Sequence, residues 1–397
     1  MRTRAAGRIT GFWRRRRIPL AWLLLTRQPM RLAVALAGIA FAGILMFMQL
    51  GFRDGLFEAS VTVHKLFDTD VVLLSPRSTS SIGMASFPRR RLVQTLADPD
   101  VVSISPVNWN LLLWRNPEAR TTRSILTLGF EPGDPIFLDP AISRQSPLLQ
   151  NRGWVLFDER SRPEFGPIAR WLKQGRTVET EVSGQRIRVA GLVALGPSFG
   201  ADGNMITSRE TYFRLMPTSP PGSVELGLVR LRTGADPDAV VARLKRELPG
   251  DVRVLTKAGF EELEKTYWRT STAIGFIFTL GAAMGFVVGC VIVYQILYSD
   301  VSDHLPEYAT LMAMGYRLPT LLGVVGREGL LLAVLGYLPA YVAGQGLYAL
   351  VRSGTRLPVV MDPGRALLVF TLILVMCLGS AALAMRRLGD ADPAEIF

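Results

Sequence analysis

The sequence predicts an α-helical membrane protein with four transmembrane helices and one large α+β domain placed between the first and second. Three observations carry this. Four apolar stretches are each long enough to cross a hydrocarbon core at 1.5 Å per residue. One stands near the N-terminus and three are crowded after residue 270. The intervening 53–270, about 218 residues, is charged, punctuated by Pro and Gly, and holds no run long enough to span.

Composition agrees. Of 397 residues 49% are hydrophobic, and the mean hydropathy is +0.27, too apolar for an ordinary soluble protein. Formal charge is +12, with 40 Arg against five Lys. Such a balance suits nucleic acid or an anionic membrane surface. Nine Arg and no acid fall in residues 1–31, directly ahead of a span, which favours the membrane over nucleic acid. Cys290 and Cys377 lie within apolar runs, so neither a disulfide nor a metal site is expected. His64 and His304 are isolated, and a lone His is more often a surface or packing residue than a ligand. No G-K-[ST] phosphate loop occurs, so any ATP is bound by another chain and no cofactor is expected in this one.

In chain order, residues 1–31 predict a basic segment with an interfacial helix, Trp13 and Trp22 at headgroup depth. The first span covers 32–52, longer than a signal-peptide core and without a small-x-small cleavage site. The positive-inside rule keeps the nine Arg cytoplasmic, so 53–270 lies outside.

Within that domain, Val71–Leu74, Ser124–Phe130, Gly153–Phe157, Thr177–Val182, Gln185–Val193, Val224–Arg232 and Val252–Leu255 are expected as strands, with a hairpin at Ser183-Gly184. Asp236-Pro237 opens a helix through Leu248. Residues about 100–220 are a candidate inserted subdomain. No catalytic constellation emerges. Asp158, Glu159 and Glu164 alternate with Arg160 and Arg162 as mutually neutralising surface charges, and G-x-S-x-G is absent.

The second span covers 271–298, led in by a helix over 256–270. Gly281, Gly285 and Gly289 form G-x-x-x-G-x-x-x-G, a face on which two helices approach closely, in this chain or between two copies. Residues 299–318 then leave the membrane, and Val301 to Tyr316 predict a short helix. Asp303 caps it, Pro306 and Glu307 suit its first turn, and Gly315 stops it. Leu305, Tyr308, Leu311, Met312 and Gly315 share one face, for the membrane surface or for a partner. Arg327 and Glu328 mark the cytoplasmic boundary of the third span, 319–351, pairing locally or meeting that partner. A loop, 352–365, the fourth span, 366–385, and a cytoplasmic tail, 386–397, complete the chain.

This plan resembles the FtsX/MacB permease superfamily. Its sharpest motif, P-E-Y-A-T-L-M-A-M-G-Y at Pro306–Tyr316, looks like the family's coupling helix, and the ending R-R-L-G-D-A-D-P-A-E-I-F is similar to the family's. A-G-I-A-F-A-G-I-L-M-F-M-Q-L-G-F-R-D-G-L-F, S-R-P-E-F-G-P-I-A and A-D-G-N-M-I-T-S resemble the DevC-like permeases. The resemblance implies a homodimeric inner-membrane permease with a periplasmic domain. It would be driven by a separate DevA-like ABC ATPase docked on the coupling helix. A DevB-like membrane-fusion adaptor and a TolC-like outer-membrane channel would complete an exporter of lipid-like cargo, such as a glycolipid. Met312 stands where many relatives carry a basic residue. An FtsX-like signal transducer and a LolC/LolE-like lipoprotein-releasing permease are the alternatives.

Overall fold

The computed structural model describes residues 27–220, 222–307, 310, 314, 318–355 and 357–390. Its helices and strands are, in order, α1 (Pro29–Ser60), α2 (Thr62–Lys65), β1 (Val71–Leu74), β2 (Phe87–Pro88), α3 (Arg89–Gln94), β3 (Val101–Arg115), β4 (Thr122–Phe130), α4 (Pro140–Gln145), β5 (Trp154–Asp158) and α5 (Ile168–Lys173). There follow β6 (Val178–Val182), β7 (Gln185–Val193), β8 (Asn204–Ser208), α6 (Arg209–Leu215), β9 (Ser223–Val224), β10 (Leu226–Leu231), α7 (Pro237–Glu247), β11 (Arg253–Thr256), α8 (Lys257–Thr270), α9 (Ile274–Asp303), α10 (Leu318–Thr355) and α11 (Pro363–Asp390). The chain divides into two compact units. One holds the spans, up to Gly51, Thr279–Leu350 and from Val360; the other holds Phe52–Phe278 and Val351–Val359.

In the span unit, stretches of α1, α9, α10 and α11 are long and apolar enough to cross a membrane. Lipid offers no hydrophobic drive between helices, so close approach through small residues carries the packing. A Cβ at Gly38 would lie 2.5 Å from Ile292, and one at Gly43 2.7 Å from Ala340. On the other flank, the Gly329 position faces the Cys377 carbonyl at 3.2 Å. Buried polar groups are satisfied across helices: Tyr348 donates its hydroxyl to the Phe47 carbonyl, and Ser380 donates to the Cys290 carbonyl at 3.1 Å. In lipid each such carbonyl has no water to turn to.

The other unit is built on a nine-stranded sheet, ordered β11-β1-β10-β3-β4-β8-β5-β7-β6. Alternating side chains around Ser183-Gly184 give the β6–β7 hairpin, and both turn residues have positive φ (47° and 77°), as a tight primed turn requires. β3 is the organising strand. Its first half pairs with β10 and its second half with β4. At its end Trp114 bridges Val182 of β6, which closes β3-β4-β8-β5-β7-β6 into a small barrel. Trp114, Ile125, Val155, Phe157, Phe165 and Val189 fill it. Beside the barrel, β1, β10 and β11 carry α7, whose Val240, Val241 and Leu244 bury against Leu73, Val229 and Val254. Strands and helices thus share one α+β domain.

The expected strands at 71–74 and 185–193 have these bounds, and the others shift by a residue or two. β3 and β8 were not expected from the sequence. One expectation is corrected here. Asp158 is not a surface charge: it is fully buried and accepts from the Leu195 and Gly196 amides (3.0 and 2.9 Å) and from Asn204 Nδ2 (2.8 Å). Burial raises its pKa, and those donors, needed because a buried ion must be paired or hydrogen-bonded, oppose the rise. Its neighbours are neutralised by distant partners: Glu159 by Lys173 at 2.7 Å, Arg162 by Asp202 at 2.8 Å and Glu164 by Arg123 at 3.6 Å.

Candidate coupling site

The segment expected as one helix from Val301 to Tyr316 is divided. Val301–Asp303 finish α9, His304 is a turn residue, and helix resumes at Leu305–Glu307. Asp303 is therefore the last residue of α9, and its Oδ2 accepts from Arg31 Nη2 at 2.6 Å. Leu305 is half-buried, Pro306 and Glu307 are exposed, and Thr310 donates back to the Pro306 carbonyl at 2.9 Å. Tyr308, Leu311, Met312 and Gly315 lie outside the described residues.

Arg31, in the first turn of α1, ties that helix to the end of α9. Its Nη2 also reaches Ser299 at 3.4 Å, and its Nη1 lies 3.7 Å from Asp300 Oδ1. His304 Nδ1 is 3.7 Å from the same oxygen. The sequence gives no hint of this pairing, because its partners are about 270 residues apart. On α10, Arg327 is exposed and Glu328 is fully buried. Neither Glu328 oxygen has a hydrogen-bond partner, so the expected local pair with Arg327 is not formed. Helix geometry gives the reason: neighbours i and i+1 do not face each other.

The three glycines of α9 line helices of the same chain. A Cβ at Gly281 would meet Gln49 at 2.5 Å, one at Gly285 would meet Leu45 at 3.2 Å, and one at Gly289 would meet Ala42 at 2.8 Å and crowd Met376.

In the domain unit, the two segments continuous with spans are clamped together. His64 of α2 is 1% exposed and lies between Trp109 and Phe260, ring centroids 5.4 and 4.4 Å away. Neither ring nitrogen is hydrogen-bonded, and burial holds its pKa down to about 3, so it is neutral. Its Nε2 lies 3.7 Å from Glu264 of α8. Glu264 is itself buried and accepts from the Ser81 amide (2.7 Å), the Ser81 hydroxyl and Trp268 Nε1 (both 2.8 Å). Burial raises its pKa, which those three donors oppose. At the rim, Glu58 of α1 pairs with Lys65 and, at 3.1 Å, with Lys265 of α8. Sequence reading passed over Glu264; its signal is a charge inside an apolar helical face, Phe260-x-x-x-Glu264-x-x-x-Trp268. Among the described residues no group of three His, Cys, Asp or Glu could bind a metal.

Residues 272–393 match the family model for the FtsX-like permease C-terminal domain. Over 389 residues the chain is 22% identical to two uncharacterized ABC transporter permeases of Mycobacterium tuberculosis, from strains CDC 1551 and ATCC 25618 / H37Rv, covering 97% of this chain and 96% of theirs. Among solved structures, the periplasmic region of MacB from Actinobacillus actinomycetemcomitans aligns at TM-score 0.32 and 11% identity, over 52% of this chain and 96% of that one. The extracellular domain of the transporter YknZ from Gram-positive bacteria aligns at 0.31 and 12%, over 47% and 98%.

Proposed function

We propose that this chain, an ABC transporter permease with an FtsX-like C-terminal domain, is the membrane subunit of an exporter powered by a separate ATPase. The observation that carries the reading is where the permease match falls. Residues 272–393 take in α9, the exposed Leu305–Glu307 segment and both following spans. A short helix between two spans, with Pro306 and Glu307 open to solvent, is shaped to dock on a partner. The partner is an ABC ATPase, DevA-like by the resemblance of this chain's motifs to the DevC group. Its seat begins at Leu305, Pro306 and Glu307, and the sequence carries the motif on through Tyr308, Leu311, Met312 and Gly315.

The mechanism is mechanical. ATP-driven movement at the docked segment displaces the lower ends of α9 and, through Arg31, of α1. α1 is one continuous helix from Pro29 to Ser60, so it carries displacement along its length. The bridge from Glu58 to both Lys65 and Lys265, with His64 against Glu264, makes α2 and α8 move as one root of the outer domain. That domain, periplasmic if the nine N-terminal Arg stay cytoplasmic, pushes cargo outward through a DevB-like adaptor and a TolC-like channel. The permease works as a homodimer in the inner membrane, both termini cytoplasmic, and its cargo is lipid-like, a glycolipid by the DevC resemblance. The glycine face of α9 serves packing within the chain.

The test is a pull-down of the tagged chain from native membranes in mild detergent, read by mass spectrometry. An ATP-binding subunit recovered with a fusion adaptor supports the exporter. An ATPase with a cell-wall hydrolase or a lipoprotein chaperone would replace export by signalling or lipoprotein release. No ATPase at all would refute the coupling role of Leu305–Glu307.

A further inference from the structure

Buried charges between spans come in satisfied pairs, because an unpaired ion in a low-dielectric interior is costly. In this unit the Glu328 carboxyl and one nitrogen of the otherwise paired Arg31 are buried without a hydrogen-bond partner, and the two are complementary. Glu328 on α10 is fully buried, with both carboxylate oxygens unpartnered. Arg31 on α1 commits Nη2 to Asp303 and Ser299, but its buried Nη1 has no hydrogen-bond acceptor. Asp300 Oδ1 lies 3.7 Å from the Arg31 Nη1 that lacks a hydrogen bond.

There is room beside them. A cavity of about 20 Å³ is lined by Arg31, Ala35, Leu297, Asp300 and Leu332, among others. Leu332 is four residues beyond Glu328 on α10, so both stand on one face of that helix. The cavity therefore touches the α10 face that carries Glu328. Arg31 is a planar fork with five donors, able to leave one carboxylate for another without losing its charge.

The geometry points to a partner exchange: Arg31 binds Asp300 and Asp303 in the conformation described, and Glu328 in a second one. Glu328 is then a positioning residue for coupling, a second stop for the α1 cation on α10. Asp303 is half-exposed and returns to water in the exchange, and the His304 ring stays beside Asp300, its Nδ1 2.9 Å from the Asp300 carbonyl. Because Arg31 also holds the end of α9 beside the docking segment, the exchange would release α9 as it engages α10. The driver, ATP-dependent movement, rests on the permease reading above; the pairing itself does not.

The experiment uses the full-length chain in native membranes, with Cys290 and Cys377 replaced by Ala. The Arg31→Cys, Glu328→Cys double variant is treated with a bifunctional thiol reagent long enough to span an Arg–Glu pair, which a direct disulfide is too short to do, then digested and read by mass spectrometry, with ATP depleted or with ATP and vanadate. A cross-link whose yield changes at least about fivefold between the two conditions is expected. No cross-link in either condition, or equal yield in both, overturns the exchange. Should the cysteine variant fail to fold, Arg31→Gln, Glu328→Gln and their combination decide through ATP hydrolysis by the co-purified complex. A partner pair predicts a double variant no worse than the worse single one; multiplying defects refute it. Recovery of an ATPase with a nucleotide-insensitive cross-link sinks the exchange and leaves the permease reading standing. An equal cross-link in both conditions with no ATPase recovered keeps only the Arg31–Glu328 proximity and sinks both the exchange and that reading.

Discussion

Replacing His64 by Phe should remove an acid weakness from the root of the outer domain. The imidazole is buried among Trp109, Phe260 and Glu264 and titrates at about 3, against 6.5 when free. A basic group whose folded pKa is depressed keeps its stability above the unfolded value and loses it as pH falls. Between pH 6.5 and 4.5 the loss is on the order of 3 kcal/mol, at about 1.4 kcal/mol per pH unit. Glu264 acts with the opposite sign. Its raised pKa means that stability is present below its ordinary 4.5 and fades as pH rises through the folded value, so acidification helps it. His64→Phe fills similar volume and deletes two unpartnered nitrogens, which at pH 7 is near neutral or stabilising. The assay is hydrogen–deuterium exchange on the full chain in nanodiscs, corrected for intrinsic rate, following peptides over 62–68 and 257–270. From pH 7 to 4.5 the wild type should lose up to about a hundredfold in protection there, less what Glu264 returns, and His64→Phe should hold or gain. An identical acid response in both proteins would refute the reasoning.

Glu264→Ala at pH 7 leaves the Ser81 and Trp268 donors unsatisfied and should cost about 3–5 kcal/mol, seen as a lower thermal midpoint with the spans still assembled. Gly289→Leu drives side-chain atoms into Ala42 and Met376, costs at least about 1–3 kcal/mol, and should show as aggregation on size-exclusion chromatography of the detergent-extracted protein. Trp114→Ala empties the barrel at its closing bridge, costs about 3–5 kcal/mol, and should expose residues 101–215 to limited proteolysis. Glu307→Lys reverses a charge on the exposed docking segment and should lower partner-dependent ATP hydrolysis without changing protein yield.

Local signals were readable where one face of an element meets one core. β7 alternates buried and exposed side chains along most of its length, and its turn residues announce its start. The strands missed are those where that condition fails. β3 carries Pro106 and serves three cores in turn, so its buried run, Pro106–Trp109, matches no single alternation. β8 is buried at every position although Asn204, Thr207 and Ser208 are polar; Asn204 Nδ2 donates to Asp158 and the Gly196 carbonyl, Thr207 donates to the Trp154 carbonyl and Ser208 to Thr211. The spans were legible from hydropathy, but α1 runs to Ser60, eight residues past the apolar stretch, because Phe57 and Ala59 bury against protein. In the candidate site, residue types and spacing marked the close-packed glycines of α9 and the helical Leu305–Glu307. The pairs Arg31–Asp303 and His64–Glu264 join residues 272 and 200 positions apart, and no local pattern encodes such a meeting.

The route of the chain through β3 and β10 makes the barrel exchangeable. The strand that brings the chain toward it and the strand that takes the chain away are hydrogen-bonded neighbours, Val107 opposite Leu226. A module grafted between those two positions would leave β11-β1-β10-β3 in register, whatever its own architecture. The host sheet is thus a socket, and related machines could acquire new reach or new contacts by swapping what is plugged into it. Engineers could do the same, provided the replacement presents its ends side by side at the spacing of an antiparallel pair, about 5 Å.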